Sequence, residues 1–185
     1  MTYYGPKEIA ASFRTVRNNT IKIAEEIPEE SYGFRPAEGC RSIAEQLVHI
    51  AVGARVQEVI QFEEKRTSLV GFDFFGLMGK IIAEEQVPRS KAQILELLKA
   101  GGERYASLLE GASEEFLGET VTYPEGMMPP TKSRFEMLIA PKEHEMHHRG
   151  QLMVAQRMLG MVPPLTRQMN ERIASMKAAA AAAAK

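Results

Sequence analysis

Hydrophobic residues recur with a helical period over most of the chain, and proline or serine marks where each periodic stretch begins. The first stretch starts at Gly5-Pro6 and stops before Pro28. Three serines are each followed, three residues later, by Glu or Gln, which is the pattern of a helix capping box. These serines are Ser42, Ser90 and Ser133, and the apolar stretches behind them run to about Phe62, Leu109 and Gly160. The pattern therefore predicts four long helices.

The rest of the chain favours an all-α fold. No segment alternates with period two for long enough to form a sheet, and residues 121–123 are at most a short extended piece. Four long helices most economically form a four-helix bundle. The join between helices two and three, residues 67–89, is too long for a tight turn, so we expect a crossover with a short helix over 74–85. These features predict an up-down-down-up topology.

One proline conflicts with this pattern. Pro141 lies inside the predicted fourth helix, where proline removes a backbone hydrogen bond and crowds the preceding turn. Either the helix kinks there, or it begins there and Ser133 caps a shorter element. In both cases the residues from His144 onward remain helical.

Length and composition limit the class of protein. A chain of 185 residues fits one domain, which we place at residues 1–176, followed by an alanine-rich tail at 177–185. A net charge of −1 argues against nucleic-acid binding, and no apolar run is long enough to span a membrane. The single cysteine, Cys40, excludes an internal disulfide framework. With no signal-peptide pattern at the start, we expect a cytoplasmic protein.

The histidines carry the candidate chemistry. The chain has four, and three of them fall in one predicted helix at His144, His147 and His148. His144 and His148 are four residues apart, so both rings project from the same face, as in a two-point metal chelate. His49, on the predicted second helix, is the candidate third ligand.

The three rings can meet if the second and fourth helices are antiparallel. His49 lies seven residues into its helix, about 10 Å along, and His148 lies eleven residues before Leu159, about 16 Å from that end. Three neutral imidazoles suit Zn²⁺, Ni²⁺ or Fe²⁺ and leave at least one position for water or substrate. A cysteine-rich zinc site is excluded.

Two other interpretations use the same residues. A histidine on an apolar helix face is commonly a hydrogen-bonded core residue, although the paired spacing together with His49 favours a metal site. Residues 144–148 also satisfy H-E-x-x-H, the zinc-peptidase pattern in which Glu145 would be the general base. Such peptidases need a sheet that binds the peptide, and no strand pattern precedes this helix.

Four segments together resemble the DinB-like family, which includes the YfiT-like metalloenzymes. They are residues 27–39, 42–50, 144–152 and 160–164, in the family's order and over most of the chain. The resemblance implies a four-helix bundle with up-down-down-up topology, often homodimeric. It also implies a zinc or nickel ion held by one histidine of helix two and an H-x-x-x-H pair of the last helix. Those positions match His49, His144 and His148.

The reaction that the resemblance implies is less specific. Relatives include transferases that use a low-molecular-weight thiol, and others are suspected hydrolases. We therefore expect a metal-dependent enzyme that activates a thiol for transfer to a small electrophile, with Glu145 and His147 contacting the ligands or transferring protons. Metal-dependent hydrolysis and a non-catalytic, stress-associated metal-binding protein are the alternatives. The expected partners are a small-molecule substrate and a second copy of the chain.

Overall fold

In a computed structural model, residues 4–183 are described, and they are mainly helical. The helices are α1 (Pro6–Glu26), α2 (Ile43–Gly53), α3 (Arg55–Gln57), α4 (Phe74–Glu85), α5 (Lys91–Glu110), α6 (Glu114–Gly118), α7 (Arg134–Met158) and α8 (Pro164–Ala183). A 3₁₀ turn at Glu29–Ser31 and a π-helical turn at Glu58–Glu63 accompany them. Strands β1 (Thr120–Thr122) and β2 (Thr131–Ser133) pair antiparallel; β1 overlaps the extended piece expected at 121–123, whereas the sequence pattern did not predict β2. The last two residues of the predicted tail, 184–185, lie outside the described residues.

Helices α1, α2, α5 and α7 form a four-helix bundle whose directions follow from two hydrophobic clusters. α1 and α2 each pack against both α5 and α7. The cluster at one end contains Ile9, Phe13, Ala54, Tyr105, Leu109 and Leu138. The cluster at the other end contains Ile23, Ile43, Leu47, Ile94, Leu98 and Leu152. The chain therefore runs up α1, down α2, down α5 and up α7, which confirms the predicted topology.

Two of the three predicted capping boxes form completely. Ser42 and Ser90 each accept a backbone hydrogen bond three residues ahead, and the residue there caps the serine amide in return. Ser133 accepts from the Glu136 amide, but the Glu136 carboxylate pairs with Lys132 at 3.0 Å. Ser133 also belongs to β2, so its backbone is engaged in the hairpin. The third capping box therefore forms only in part, with the hydrogen bond to the Ser133 side chain but without the one from the Ser133 amide to Glu136.

Pro141 lies inside one continuous helix. α7 begins at Arg134 with Ser133 as its N-cap, so the interpretation in which the helix starts at Pro141 is wrong. Pro141 cannot donate to the carbonyl one turn earlier. The next carbonyl along, that of Leu138, accepts a hydrogen bond from the Tyr105 hydroxyl at 2.8 Å. α5 thus bonds α7 beside the proline.

The predicted second helix is interrupted. It was expected to continue to about Phe62, but α2 ends at Gly53 and the chain resumes as α3 and a π-helical turn. The Ala54 amide bonds the Val52 carbonyl and leaves the Ile50 carbonyl free for another donor. Arg17 of α1 supplies that donor through Nη2 at 3.3 Å. The crossover helix α4 has the bounds that the sequence predicts.

A buried ion pair lies at the centre of the bundle. Arg17 and Glu145 are 3% and 1% exposed, and Arg17 Nε lies 3.0–3.1 Å from both Glu145 carboxylate oxygens. Arg17 Nη1 also donates to the Leu98 carbonyl of α5 at 2.8 Å. A Cβ at Gly102 would lie 2.6 Å from Arg17 Cγ, so glycine there leaves space for the arginine stem. One side chain of α1 therefore bonds α2, α5 and α7.

Within residues 4–183, the structure has no helix that is both long enough and apolar enough to cross a bilayer.

Replacing Arg17 tests this central pair. Arg17→Met leaves the buried Glu145 carboxylate without the cation that is hydrogen-bonded to it, so we expect a loss of about 3–5 kcal/mol in the free energy of unfolding, measured by urea denaturation. The double variant Arg17→Met with Glu145→Met should recover most of that loss, because it removes both buried charges. Arg14→Met, which breaks the exposed pair with Glu103, is the control and should cost less than about 1 kcal/mol. Equal effects of the two single variants would contradict a central role for Arg17.

Candidate metal centre

The three predicted ligands converge at one point between α2 and α7. Nε2 of His144 lies 3.0 Å from Nε2 of His49 and 3.0 Å from Nε2 of His148. All three ligand atoms fall within 4.8 Å of one another. A cation about 2 Å from each nitrogen would hold the nitrogens roughly 3–3.5 Å apart. The donor set and the two separations of 3.0 Å therefore fit a single divalent ion.

Two of the rings are oriented by partners on their other nitrogen. Nδ1 of His49 lies 2.7 Å from a carboxylate oxygen of Glu85, and Nδ1 of His148 lies 2.9 Å from the Gln151 side-chain oxygen. Both oxygens accept, so each Nδ1 carries the proton and each Nε2 presents its lone pair to the centre. Such partners fix the tautomer that a metal ligand requires.

The third ring is held by close packing. A Cβ at Gly53 would lie 3.3 Å from both Cε1 and Nδ1 of His144, closer than ordinary van der Waals contact. Gly53 is the last residue of α2, where the helix is interrupted. The absence of a side chain at this position lets the His144 ring lie against the α2 backbone, one turn after His49.

The electrostatics of the centre favour neutral rings. Burial, together with the neighbouring rings of His148 and His49, lowers the pKa of His144 to about 4. Burial also lowers the pKa of His148, although its hydrogen bond to Gln151 opposes the shift. Neutral imidazole is the form that binds metal, so at neutral pH the rings of His144 and His148 are ready to act as ligands.

The other two predicted site residues lie outside this cluster. The Glu145 carboxylate points to Arg17, at the centre of the bundle, and is bonded there. His147 is exposed, and its Nε2 accepts from the Gln151 amide at 3.2 Å, while the other end of that amide bonds His148. His147 is thus linked to a ligand through one side chain.

Three residues around the centre were missed in the sequence. Gln151 follows His148 by three residues, so helical spacing could have identified it. Glu85 lies on the crossover helix α4, and Arg41, whose Nη2 is 3.7 Å from Glu85, lies on the loop before α2. Neither has a local signal, because their position depends on how the crossover packs on the bundle.

Two cavities border the centre on different sides. One, of about 210 Å³, lies beneath α4 and is lined by His49, His144, Glu85 and Pro141 among others. The other, of about 410 Å³, lies between the loop before α2 and helix α7 and reaches His148 and Gln151. Small molecules therefore have space next to the ligands.

Comparison with known proteins identifies the family to which this helical bundle belongs. Residues 12–152 match the DinB superfamily, and the chain belongs to it. YjoA of Bacillus subtilis (strain 168) is 25% identical over 160 residues, which cover 83% of this chain and 90% of YjoA.

Solved structures show the same fold. The crystal structure of the DinB-like protein YjoA superposes with a TM-score of 0.60 at 26% identity, covering 84% of this chain and 94% of that one. A DinB-like protein of Bacillus cereus ATCC 10987 gives 0.62 at 18% identity, over 85% and 94% of the two chains. YfiT of Bacillus subtilis gives 0.62 at 14% identity, over 84% and 88%. YfiT is described as a probable metal-dependent hydrolase with an unusual four-helix bundle topology.

Replacing Glu85, the hydrogen-bond partner of His49, tests whether this contact holds the His49 ring in the orientation that binds metal. Glu85→Gln replaces the carboxylate with an amide that holds Nδ1 less firmly, so we expect zinc affinity to fall about tenfold in a competition titration with a chromophoric chelator. Glu84→Gln, the neighbouring exposed residue, is the control and should leave zinc affinity unchanged. An unchanged affinity for Glu85→Gln would show that the contact does not support the ligand.

The lowered pKa of His144 predicts a pH dependence of the metal-free protein. Between the unfolded-state value of about 6.5 and the folded-state value of about 4, the unfolded chain binds more protons. The stability that the neutral ring contributes is therefore complete above pH 6.5 and is lost as the pH falls through 4. Urea denaturation from pH 7 to 4 should show a steeper loss for the wild type than for His144→Asn. Parallel curves would contradict the shift.

Proposed function

We propose that this protein is a divalent-metal-dependent enzyme acting on a small molecule, with His49, His144 and His148 as the metal ligands. The observation that carries the proposal is the convergence of three Nε2 atoms, two of them with their tautomer set from the far side of the ring. Core histidines need only one hydrogen-bond partner each and have no reason to meet at one point. Zinc and nickel are the proposed ions, with iron as a third, since all accept three imidazoles.

Other residues of this chain would hold the three histidine rings in place. When bound, a divalent ion supplies Lewis acidity to whatever ligand occupies its remaining positions. Glu85 and Gln151 hold two of the rings, and we propose that His147 acts through Gln151 as a positioning residue. We propose the same for Glu145, which fixes α7 through Arg17. The general-base role of a zinc-peptidase glutamate requires a carboxylate that faces the metal, and Glu145 is already bonded to Arg17.

Two reactions are proposed for this site. The first is transfer of a low-molecular-weight thiol to a small electrophile, which is supported by the resemblance to thiol-dependent DinB-like transferases. The second is hydrolysis, which is supported by the description of YfiT, a protein of the same fold. A bound divalent ion can activate either nucleophile, so the site chemistry is common to both.

We also propose a cytoplasmic homodimer. The end of α7 and one side of α8 expose several large apolar side chains: Val154, Met158, Met169, Ile173 and Met176. Contiguous exposed apolar residues of this kind commonly mark protein–protein contacts. Light scattering at several concentrations tests the dimer, and Ile173→Lys should shift it toward monomer.

Metal content tests the central proposal. We expect about one zinc, nickel or iron ion per chain in the wild type, by plasma mass spectrometry on tag-free protein. His144→Ala should lose that ion, because it removes the ring that contacts both others. Met146→Ala is the control, since Met146 is exposed on the same helix and outside the cluster, and it should retain the ion. A wild type that remains metal-free after reconstitution with zinc would overturn the proposal.

Turnover separates the reactions. A thiol transferase should consume 1-chloro-2,4-dinitrobenzene only with added thiol and bound metal. A hydrolase should cleave p-nitrophenyl acetate without thiol. Either activity should disappear in His144→Ala, whereas no metal-dependent turnover on such substrates would favour the non-catalytic alternative.

A further inference from the structure

The cavity between the loop before α2 and helix α7 has the features of a binding pocket. Its volume is about 410 Å³, within the usual range for small-molecule sites. His148 and Gln151 form part of its wall, so it adjoins the candidate metal centre. Most of the remaining wall is apolar, with contributions from Pro36, Ile43, Leu152, Val154 and Ala155.

One polar side chain in this wall has an unmet hydrogen-bonding capacity. Gln46 is 7% exposed, and its Nε2 finds no hydrogen-bond partner among residues 4–183. Burying an unpaired amide costs free energy of folding, so each such group calls for a structural explanation. Gln156 is the other residue with unpaired buried side-chain atoms among residues 4–183, and it lines neither cavity beside the centre. Gln46 lines the cavity, but its Nε2 has almost no accessible surface, so a rotation of the Gln46 side chain toward the cavity would let the unpaired amide bond an oxygen of a bound molecule.

The N-terminal backbone amides of α2, which lie near this cavity, have no free hydrogen-bonding capacity for a ligand. The first backbone amides of α2 are already bonded: Ile43 to the Phe34 carbonyl, Ala44 to the Tyr32 carbonyl, and Glu45 to the Ser42 hydroxyl. Among these polar groups, the Gln46 side chain is the one with spare capacity.

The charges of the residues that line the cavity indicate the charge of the small molecule that it would bind. Arg41 is a lining residue with a formal positive charge, and the lining residues include no Asp or Glu. Arg41 lies 3.7 Å from Glu85, and its side chain is 43% exposed, so that pair is weak and leaves the guanidinium able to bind another anion. An apolar wall with a cation at its rim and a donor amide suits an anion with an apolar body.

We infer that this cavity binds a small carboxylate with an apolar body. Its oxygens contact Arg41 and, after a rotation of the Gln46 side chain, the Gln46 amide, and its body packs on Ile43, Leu152 and Ala155. The inference deepens the proposed function and rests on it, because it names the class of substrate or product held next to His148.

The test uses three probes with the same apolar chain and different head groups: hexanoate, 1-hexanol and hexylamine. Each is titrated calorimetrically into zinc-loaded and zinc-free protein. We expect hexanoate to bind both forms, and at least fivefold tighter than hexanol, because of the charge of Arg41. Hexylamine should bind weakest. In ¹⁵N spectra, hexanoate should shift the Gln46 side-chain amide signal, which is assigned by its loss in Gln46→Leu.

Substitutions distinguish a loss of binding in the cavity from a loss of protein stability. Gln46→Leu should weaken hexanoate about tenfold in zinc-free protein and leave Tm equal or raised, because it removes a buried unpaired amide. Gln86→Leu, at an exposed glutamine of α4's C-terminal end, is the control and should change neither. Arg41→Gln should reduce hexanoate affinity to that of hexanol, whereas Arg14→Gln, which breaks the pairs with Glu103 and Glu110 away from the cavity, should not.

The outcomes distinguish this inference from the proposed function. Hexanoate that binds only zinc-loaded protein, and equally well in Gln46→Leu, would place the carboxylate on the metal and overturn the pocket. Equal affinity for hexanoate and hexanol would overturn it as well. The metal assay with His144→Ala decides the proposed function separately, since pocket binding is also measured without metal.

Discussion

The ion pair between Arg17 and Glu145 crosses the centre of the bundle, and the positions of the other helices depend on it. From α1, the Arg17 guanidinium bonds a carboxylate of α7 and backbone carbonyls of α2 and α5. An arginine with several donors in a rigid plane is suited to such a junction, and in a buried site every donor that lacks a partner is costly. Small side chains and helix breaks accommodate it, since Gly102 leaves space for its stem and the interruption after α2 frees the Ile50 carbonyl.

The same junction positions the candidate metal centre. Glu145 directly follows His144 and lies three residues before His148, so the bond that fixes Glu145 also fixes the depth of both rings along the bundle. α2 is bonded to the same arginine at Ile50, the residue after His49. The two helices that contain the candidate ligands, α2 and α7, are therefore both hydrogen-bonded to the Arg17 side chain. This arrangement explains why a glutamate inside an H-E-x-x-H sequence has its carboxylate bonded to α1 in this fold.

Some side chains around the candidate metal centre hold the histidine rings, and others leave a hydrogen bond available for a small molecule. Glu85 and Gln151 satisfy the outer nitrogens of two rings, which favours metal binding. Gln46, in contrast, is buried with an unmet hydrogen bond beside a cavity that reaches His148. Unfavourable burial of this kind commonly marks functional sites, where stability is lower than an apolar residue would provide. We therefore expect the ion at the supported rings of His49 and His148, and the small molecule beside Gln46.

Local signals in the sequence determined where the main helices start and which histidines are the candidate ligands. Proline and serine caps with a helical apolar period predict the starts of α1, α2, α5 and α7, and the spacing of His144 and His148 predicts a chelate, because both depend on residues within a turn or two. The interruption of α2, the continuity of α7 through Pro141 and the half-formed cap at Ser133 depend on neighbours that a local pattern does not contain. Glu85 reaches His49 across 36 residues, and Arg17 reaches Glu145 across 128. Such contacts exist only once the crossover and the four helices have packed, since packing decides which polar groups lose water and must find each other.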